Sequence, residues 1–538
     1  MLKGIGASQG YGIGKAVIIN EMNTDYSSVE YSGEENEKAR LKNAVESFTA
    51  ETQKLAEKLK KSAGEKEAEI LEGHIVMLSD PFMISQMEEN ISAGAAAEKA
   101  VDTVCQMFID MFSSAGDELT KQRASDVKDI KNSLLQKLLG VQTVDISTVP
   151  QGSVLVAGDL TPSMTGQINK ENVTAIITEV GGITSHSAIL ARAMGIPAVL
   201  SVMDATQNIR NGETLICDGF KGKVFVNPSD REIKEYSQKH QEYLKQKEAL
   251  KAFIDRKTIT KNGIKKAVYS NIGKPEDVQN VVQNSGEGIG LFRTEFLFMD
   301  RENEPDEEEQ FEAYSTVARA MNGREVIIRT LDIGGDKDIP YLHIGKEDNP
   351  FLGHRGIRYC LDNKELFKKQ IKAILRAAVY GSIKLMLPLV TCIDEVTKAK
   401  KVIFECETEL TEMGTPCRPV SLGIMIETPS AVLISDLLAK EVDFFSIGTN
   451  DLTGYTMAVD RGNAKVSSLY DTFQPSVLRA IEMTIKNAKK EGIQVGMCGE
   501  AAADNRLIPL LLEWGLDEFS VTPSSILQTR KAICENNA

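Results

Sequence analysis

No apolar run in the 538-residue chain reaches the length needed to span a bilayer, so membrane insertion is not expected. Basic residues do not dominate either: 62 Lys and Arg against 77 Asp and Glu give a formal net charge of −15. A nucleic-acid surface needs a basic patch or stripe, so the balance argues against nucleic acid and for a basic protein partner. Cysteine is sparse and irregular: the eight, at 105, 217, 360, 392, 406, 417, 498 and 534, form no CxxC pair. That speaks for reduced thiols rather than a disulfide framework or zinc site. With no signal-peptide pattern at the N-terminus, the expectation is a soluble, cytoplasmic protein. The length is too great for one core and implies about three or four domains.

What the chain does have is a histidine set up for chemistry. The apolar run Thr174 to Val180 reads as a strand, Gly181 and Gly182 permit a tight turn, and Thr184 or Ser185 can cap a helix starting beside His186. Gly195, Ile196, Pro197, Ala198 and Val199 close the stretch. Free backbone N–H groups at a helix start disfavour an imidazolium but favour an anion attached to the ring. A neutral histidine that accepts a phosphoryl group satisfies both preferences. From these residues alone, a histidine that merely caps a helix and fills a polar gap is an equal alternative.

The opening Gly4 to Ile19 is rich in glycine but has neither Walker A spacing nor a clear following helix, so it reads as turn plus strand. From about Gly33 to Leu139 the composition turns to Glu, Lys, Ala, Leu and Met with helical spacing, and Leu41, Val45, Phe48, Leu55 and Leu59 approximate a seam. Within it, Glu65 to Leu78 sets acidic residues beside an exposed-looking apolar set, as a solvated amphipathic helix also would. Strands and short helices alternate from about Pro150 to Val226, a compact α/β domain to which residues 1 to 20 add an outer strand. Asn227 to Asp230 then looks like a cap for a charged helix running to about Arg256, polar all round and suited to linking domains.

Eight β-like runs follow: Ala267 to Ile272, Gly288 to Arg293, Glu325 to Asp332, Ile383 to Val390, Leu422 to Glu427, Phe444 to Asp451, Gln494 to Glu500 and Glu518 to Val521. Helical patterns separate most of them, which predicts a (β/α)8 barrel with its site at the strands' C-terminal ends. Those ends carry Arg293, Arg329 with Asp332, Glu427, Asn450 with Asp451, and Cys498 with Glu500. Arg293 and Arg329 can grip phosphate oxygens through forked donors, and Arg461 can add to this grip or hold a carboxylate. Glu427 and Asp451 are hard oxygen ligands able to share one Mg2+, and Cys498 is a thiol able to move a proton. Ordinary ion pairs, Arg293 with Glu295 or Asp460 with Arg461, and an inert cysteine are the competing readings.

The stretch around His186 resembles the phosphohistidine signature shared by Enzyme I of the bacterial phosphoenolpyruvate-dependent sugar phosphotransferase system, pyruvate phosphate dikinase and phosphoenolpyruvate synthase. Six barrel strings resemble Enzyme I in particular: Gly290 to Met299, Ile328 to Lys337, Gly423 to Ser430, Ser446 to Thr453, Ala458 to Asn463 and Gly496 to Glu500. By that resemblance Arg293, Arg329, Asn450, Asp451 and Arg461 contact phosphoenolpyruvate, Glu427 and Asp451 bind Mg2+, and Cys498 protonates the departing enolate. Lys337 and Arg355 are lesser contributors. The resemblance also implies that His186 takes the phosphoryl group, releasing pyruvate, and passes it to a histidine of the carrier protein HPr, docked on the helices that include Gly73-His74-Ile75. It implies a homodimer formed through the barrel.

The expected organisation is therefore a swivelling phosphohistidine α/β domain (1–20 with 145–228), an inserted helical HPr-binding bundle (21–144), a linker helix (229–258) and a phosphoenolpyruvate-binding TIM barrel (259–538). Gly454, Gln474 and the alanines at 501–503 depart from the Enzyme I pattern, bearing on rate and dimer contacts while removing no ligand. A dikinase or synthase would need a nucleotide-binding domain of several hundred residues, for which the helical stretch before the histidine domain leaves no room. A regulatory module with an inactive barrel is the remaining rival.

Overall fold

The computed structural model describes all residues except 20–25, 28, 63–64, 115–117, 141–145, 183–184, 300, 302, 336–338, 346, 461–462 and 464. Side chains at 58–62, 65–70, 118–122, 125, 162–163, 186, 193 and 340 are also left undescribed. The chain divides into two compact units, Met1–Gln246 and Lys247–Ala538. Among the described residues no helix is long and apolar enough to cross a membrane, and all eight cysteines are free thiols.

In the first unit, the glycine-rich start makes strands β1 (Leu2–Lys3), β2 (Ile5–Ser8) and β3 (Tyr11–Ile19). The chain then forms helices α1 (Glu34–Ser62), α2 (Glu65–Leu78), α3 (Pro81–Ser92), α4 (Ala97–Ser113) and α5 (Glu118–Leu139). Their seam buries Leu41, Phe48, Met83, Met87, Val101, Val104 and Leu134. Leu59 of the expected seam lies outside the described side chains.

The chain returns as β4 (Ser153–Ala157), β5 (Val173–Thr178), β6 (Ala198–Leu200), β7 (Thr214–Asp218) and β8 (Lys223–Val226), with helices α6 (Pro162–Thr165), α7 (His186–Met194) and α8 (Ala205–Asn208) between them. The sheet order β1-β8-β7-β3-β4-β5-β6-β2 corrects the outer-strand expectation. β3 is central, parallel to β4 and antiparallel to β7, while β1 and β2 take the two edges. Helix α9 (Asp230–Lys251) starts where Ser229 and Glu232 cap it, but it is not polar all round. Tyr236 is buried, with its ring near those of Tyr11 and Phe225, and Tyr243 meets Tyr11 and Phe220. Two tyrosines spaced by seven residues are too few to register as an apolar stripe, yet they fasten this half of the helix to the sheet.

In the second unit, β9 (Ala267–Ile272), β10 (Gly288–Phe292), β11 (Glu325–Arg329), β12 (Ser382–Leu387), β13 (Ser421–Ile426), β14 (Phe444–Ile447), β15 (Gln494–Met497) and β16 (Glu518–Val521) close a fully parallel barrel. All eight expected strands are present. Helices between them bury one continuous apolar shell, and the C-terminal helix inserts Arg530, which donates to the carbonyls of Phe253 and Ser285.

Candidate active site

Parallel strands end at one rim, so residues just past each strand converge. Arg293 follows β10, Arg329 ends β11, Glu427 follows β13, Asn450 and Asp451 come after β14, and Cys498 follows β15. All six line a single cavity of about 270 Å³. Arg461 and Lys337 lie outside the described residues.

The cavity's charges are held in fixed pairs. Arg329 Nη2 is 2.7 Å from Glu295 and Nη1 is 3.1 Å from Asp332. Arg355 grips Asp332 through Nε and Nη2 at 2.9–3.1 Å and reaches Asp451 at 3.3 Å. Burial opposes the charge on Arg329, but Glu295, Asp332 and Glu427 outweigh it and raise its pKa. Burial likewise opposes Arg355, and Asp332 and Asp451 overcome it. Arg293, exposed at the rim, has no carboxylate partner among the described residues, so the Arg293–Glu295 ion pair does not form; Glu295 serves Arg329 instead.

Glu427 is 2% exposed, and one carboxylate oxygen accepts the Leu389 N–H at 2.6 Å. Burial pushes its pKa up, and Asp451 and Asp332 add to this against Arg329. Leu389 holds a left-handed backbone, φ +54°, to present that N–H, a conformation costing about 1–3 kcal/mol in a non-glycine residue. Gly356 sits at φ +59°, where a Cβ would stand 3.0 Å from Leu389 and 3.2 Å from Asp332. Cys498 is buried beside Met386, Met425 and Phe444; burial pushes its thiol up to about 11, with the Ser446 hydroxyl opposing. The thiol therefore carries its proton at neutral pH.

Even with Glu427 protonated, Glu295, Asp332, Asp451 and Glu500 outnumber Arg293, Arg329 and Arg355 in and around this cavity. An anionic ligand would meet net repulsion unless a cation joined it, and Glu427 and Asp451 are hard oxygen donors of the kind magnesium takes. Among the described residues no three metal-ligating side chains gather at one point, so the protein would supply few ligands and leave positions for substrate and water.

The histidine helix α7 lies in the first unit. Ser185, not Thr184, is its cap: Oγ accepts from Ala188 N at 3.4 Å, and Thr184 is outside the described residues. Gly195, φ +70°, ends the helix. Ser187 Oγ donates to Leu160 O and Arg192 to Ala7 O, fixing the helix on the sheet. Its outer side meets the helical bundle, where Leu190 packs with Ala56 and Leu71. The side chain of His186 is outside the described set. In the bundle, His74 faces inward rather than outward: it is 1% exposed, 3.3 Å from Asp126 and 3.7 Å from Asp129.

Comparison with known proteins fits this layout. The family described as PEP-utilising enzyme, PEP-binding domain matches residues 247–538; the N-terminal model of the same enzymes matches 3–123 and their mobile domain 149–222. Curated phosphoenolpyruvate-protein phosphotransferases of Priestia megaterium and Bacillus subtilis are each 45% identical over 534 residues, covering 99% of this chain and 93% and 94% of theirs. The chain belongs to the phosphoenolpyruvate-protein phosphotransferase family. A solution structure of an Enzyme I (nEIt) protein is 38% identical, matching 45% of this chain and 99% of its own, with a TM-score of 0.41. As a member of the phosphotransferase family the chain is a transferase, and two features of its site were not read from sequence: Glu295 as the partner of Arg329, and Arg355 as the bridge from Asp332 to Asp451. Both arise after the chain leaves its strand and reverses, where strand alternation no longer says which side chains face each other.

Proposed function

We propose that this protein takes the phosphoryl group of phosphoenolpyruvate onto His186, releases pyruvate, and passes the group to a histidine of the carrier protein HPr. The reading rests on one observation: Arg293, Arg329, Asn450, Asp451, Glu427 and Cys498 share one cavity at the barrel mouth. Arg329 and Arg293 grip the phosphoryl oxygens, with Arg461 and Asn450 completing the grip. Arg329 is pre-oriented by Glu295 and Asp332, so little reorganisation accompanies binding. Magnesium held by Glu427 and Asp451 would supply positive charge to the substrate's oxygens. The neutral imidazole of His186 attacks phosphorus in line, and the leaving group is enolpyruvate. Cys498 protonates the methylene carbon, and ketonisation to pyruvate drives the transfer forward.

For the carrier, support comes from apolar side chains that the helical bundle leaves exposed, Val76, Phe82, Met107 and Met111, of which Phe82 on α3 meets Phe108 on α4. An acidic chain, net −15, suits a basic carrier there. For a homodimer through the barrel, exposed Leu433, Leu437 and Met483 on neighbouring helices offer an apolar face. The segments proposed above, 1–20 with 145–228, 21–144, 229–258 and 259–538, are the working units of this cycle, set in the cytoplasm.

Incubation with phosphoenolpyruvate labelled in phosphorus and Mg2+ tests the reading. Acid-labile label on the wild-type protein and none on His186→Ala supports it; no label in any buffer favours an inactive barrel.

A further inference from the structure

The barrel interior below the mouth is not wholly apolar. Glu518, on β16, is 2% exposed, and its Oε1 has no hydrogen-bond partner among the described residues. Two glycines make room for it. A Cβ on Gly290 would lie 2.1 Å from Oε1, and one on Gly496 would lie 2.3 Å from Oε2. Gly496 pairs with Ser446 across β15 and β14, so Ser446 projects from the adjacent strand on the same side as that carboxyl. Cys498 is two residues beyond Gly496 and faces the same way. The Ser446 hydroxyl is near enough to the Cys498 thiol to draw its pKa down, yet it is fully buried and has no well-formed hydrogen bond. The carboxyl, on β16 opposite Gly496, and the hydroxyl, on β14 opposite the same glycine, thus flank a position with no side chain, and the thiol stands two residues further towards the mouth; no hydrogen bond among the described residues yet joins the three.

The surroundings keep that carboxyl protonated. Burial raises its pKa to about 8, Glu325 on β11 adds to this, Lys384 on β12 opposes, and Asp517 adds a little more. Lys384 is already committed, 2.8 Å from Glu325 and donating to Gln494. Tyr269 on β9 lies near both glutamates and is itself held in its neutral form, by burial first and then by Glu325 and Glu518.

We propose that Glu518, acting through Ser446, resupplies the proton that Cys498 gives to the enolate. This rests on Cys498 being the donor in the reaction above. In that step the Cys498 S–H bond breaks as a C–H bond forms at the methylene carbon of enolpyruvate, leaving a thiolate. Once the Ser446 hydroxyl and the Glu518 carboxyl turn into contact across Gly496, the hydroxyl proton moves to sulfur while the Glu518 carboxyl proton moves to the Ser446 oxygen. The S–H and serine O–H bonds are restored, and Glu518 is left as a carboxylate near Lys384, to be reprotonated from water before the next turnover. Glu518 touches no substrate atom; it is a positioning residue on the proton's route, and its orphaned oxygen is the sign of that role.

Two isotope exchanges read in one tube separate this from a structural role. The full-length enzyme is incubated in D2O with Mg2+, phosphoenolpyruvate and carbon-13-labelled pyruvate. Passage of the carbon label into phosphoenolpyruvate reports transfer and its reversal, whereas deuterium at the methyl carbon reports exchange of the Cys498 proton with solvent. Glu518→Gln, nearly isosteric, and Ser446→Ala should each lower the ratio of deuterium to carbon exchange by about a hundredfold, at the low end of what a positioned proton donor contributes. A general loss of activity lowers both signals and leaves the ratio alone, so a wild-type ratio in Glu518→Gln overturns the proposal. Should that variant fail to fold, the Ser446→Ala ratio decides in the same way. Cys498→Ala exchanging deuterium at the wild-type ratio would instead overturn the donor assignment on which the proposal stands.

Discussion

The mouth and the interior of the barrel both crowd carboxylates, and they resolve the crowding by different means. At the mouth, Glu295, Asp332, Glu427 and Asp451 are set against fixed guanidiniums around an open cavity. Deeper in, Glu518 and Glu325 share a single lysine, and Glu518 holds a proton instead of a counter-ion. The mouth is therefore sensitive to ions and anionic ligands as well as to pH, since burial raises Glu427 to about 8 too, whereas the interior, outside that cavity, responds to pH alone. Both buried carboxyls are raised to about 8, so what separates them is the surroundings: Glu427 opens on the cavity where a cation could displace its proton, and Glu518 does not.

The contrast is broken most severely at Arg329. Arg329→Met leaves the buried Glu295 without its partner, while Arg355 still holds Asp332, and stability measured by denaturant unfolding should fall by about 3 kcal/mol. The protein's one tryptophan, Trp514, packs against the barrel core and reports that transition by fluorescence. The same variant should lose phosphorylation by about a hundredfold or more.

Next comes Glu518→Gln. A carboxyl raised from 4.5 to about 8 in the folded state contributes stability that is whole below pH 4.5 and lost as pH rises through 8. Glu427, raised to the same value, contributes alike, so Trp514-monitored stability of the wild type should decline between those values and the variant should show a shallower decline, less by one proton's share. A variant with the wild-type slope would mean that Glu518 is not the neutral partner of the comparison.

The smallest effect is expected from magnesium. Added at about a hundred times its dissociation constant it should stabilise the wild type by about 2.7 kcal/mol, and Glu427→Gln should lose most of that gain. Equal stabilisation of both proteins would place the ion elsewhere.

The sequence carried the barrel well because its strands are near-continuous apolar runs followed by polar residues, and strand ends sit at predictable places. It carried the converging ligands for the same reason. It did not carry pairing across space: Arg293 and Glu295 are neighbours in sequence, yet the 3-10 turn at Glu295–Leu297 turns the glutamate toward Arg329. The central place of β3 was hidden because its partner β4 lies beyond five helices. His74 looked like part of a docking face, but a histidine flanked by apolar residues at helical spacing carries no mark of which way it points, and two aspartates of α5 draw it inward. Glu518 gave no signal, since a glutamate opening a short apolar run reads as a solvated strand end.

That central strand has a consequence for how the chain is made. On a ribosome adding about 5–20 residues per second, β3 emerges and then waits on the order of ten seconds for β4. The helices between them make mostly local contacts and can settle first, which would hold the waiting strand near a folded neighbour while its own sheet is still incomplete.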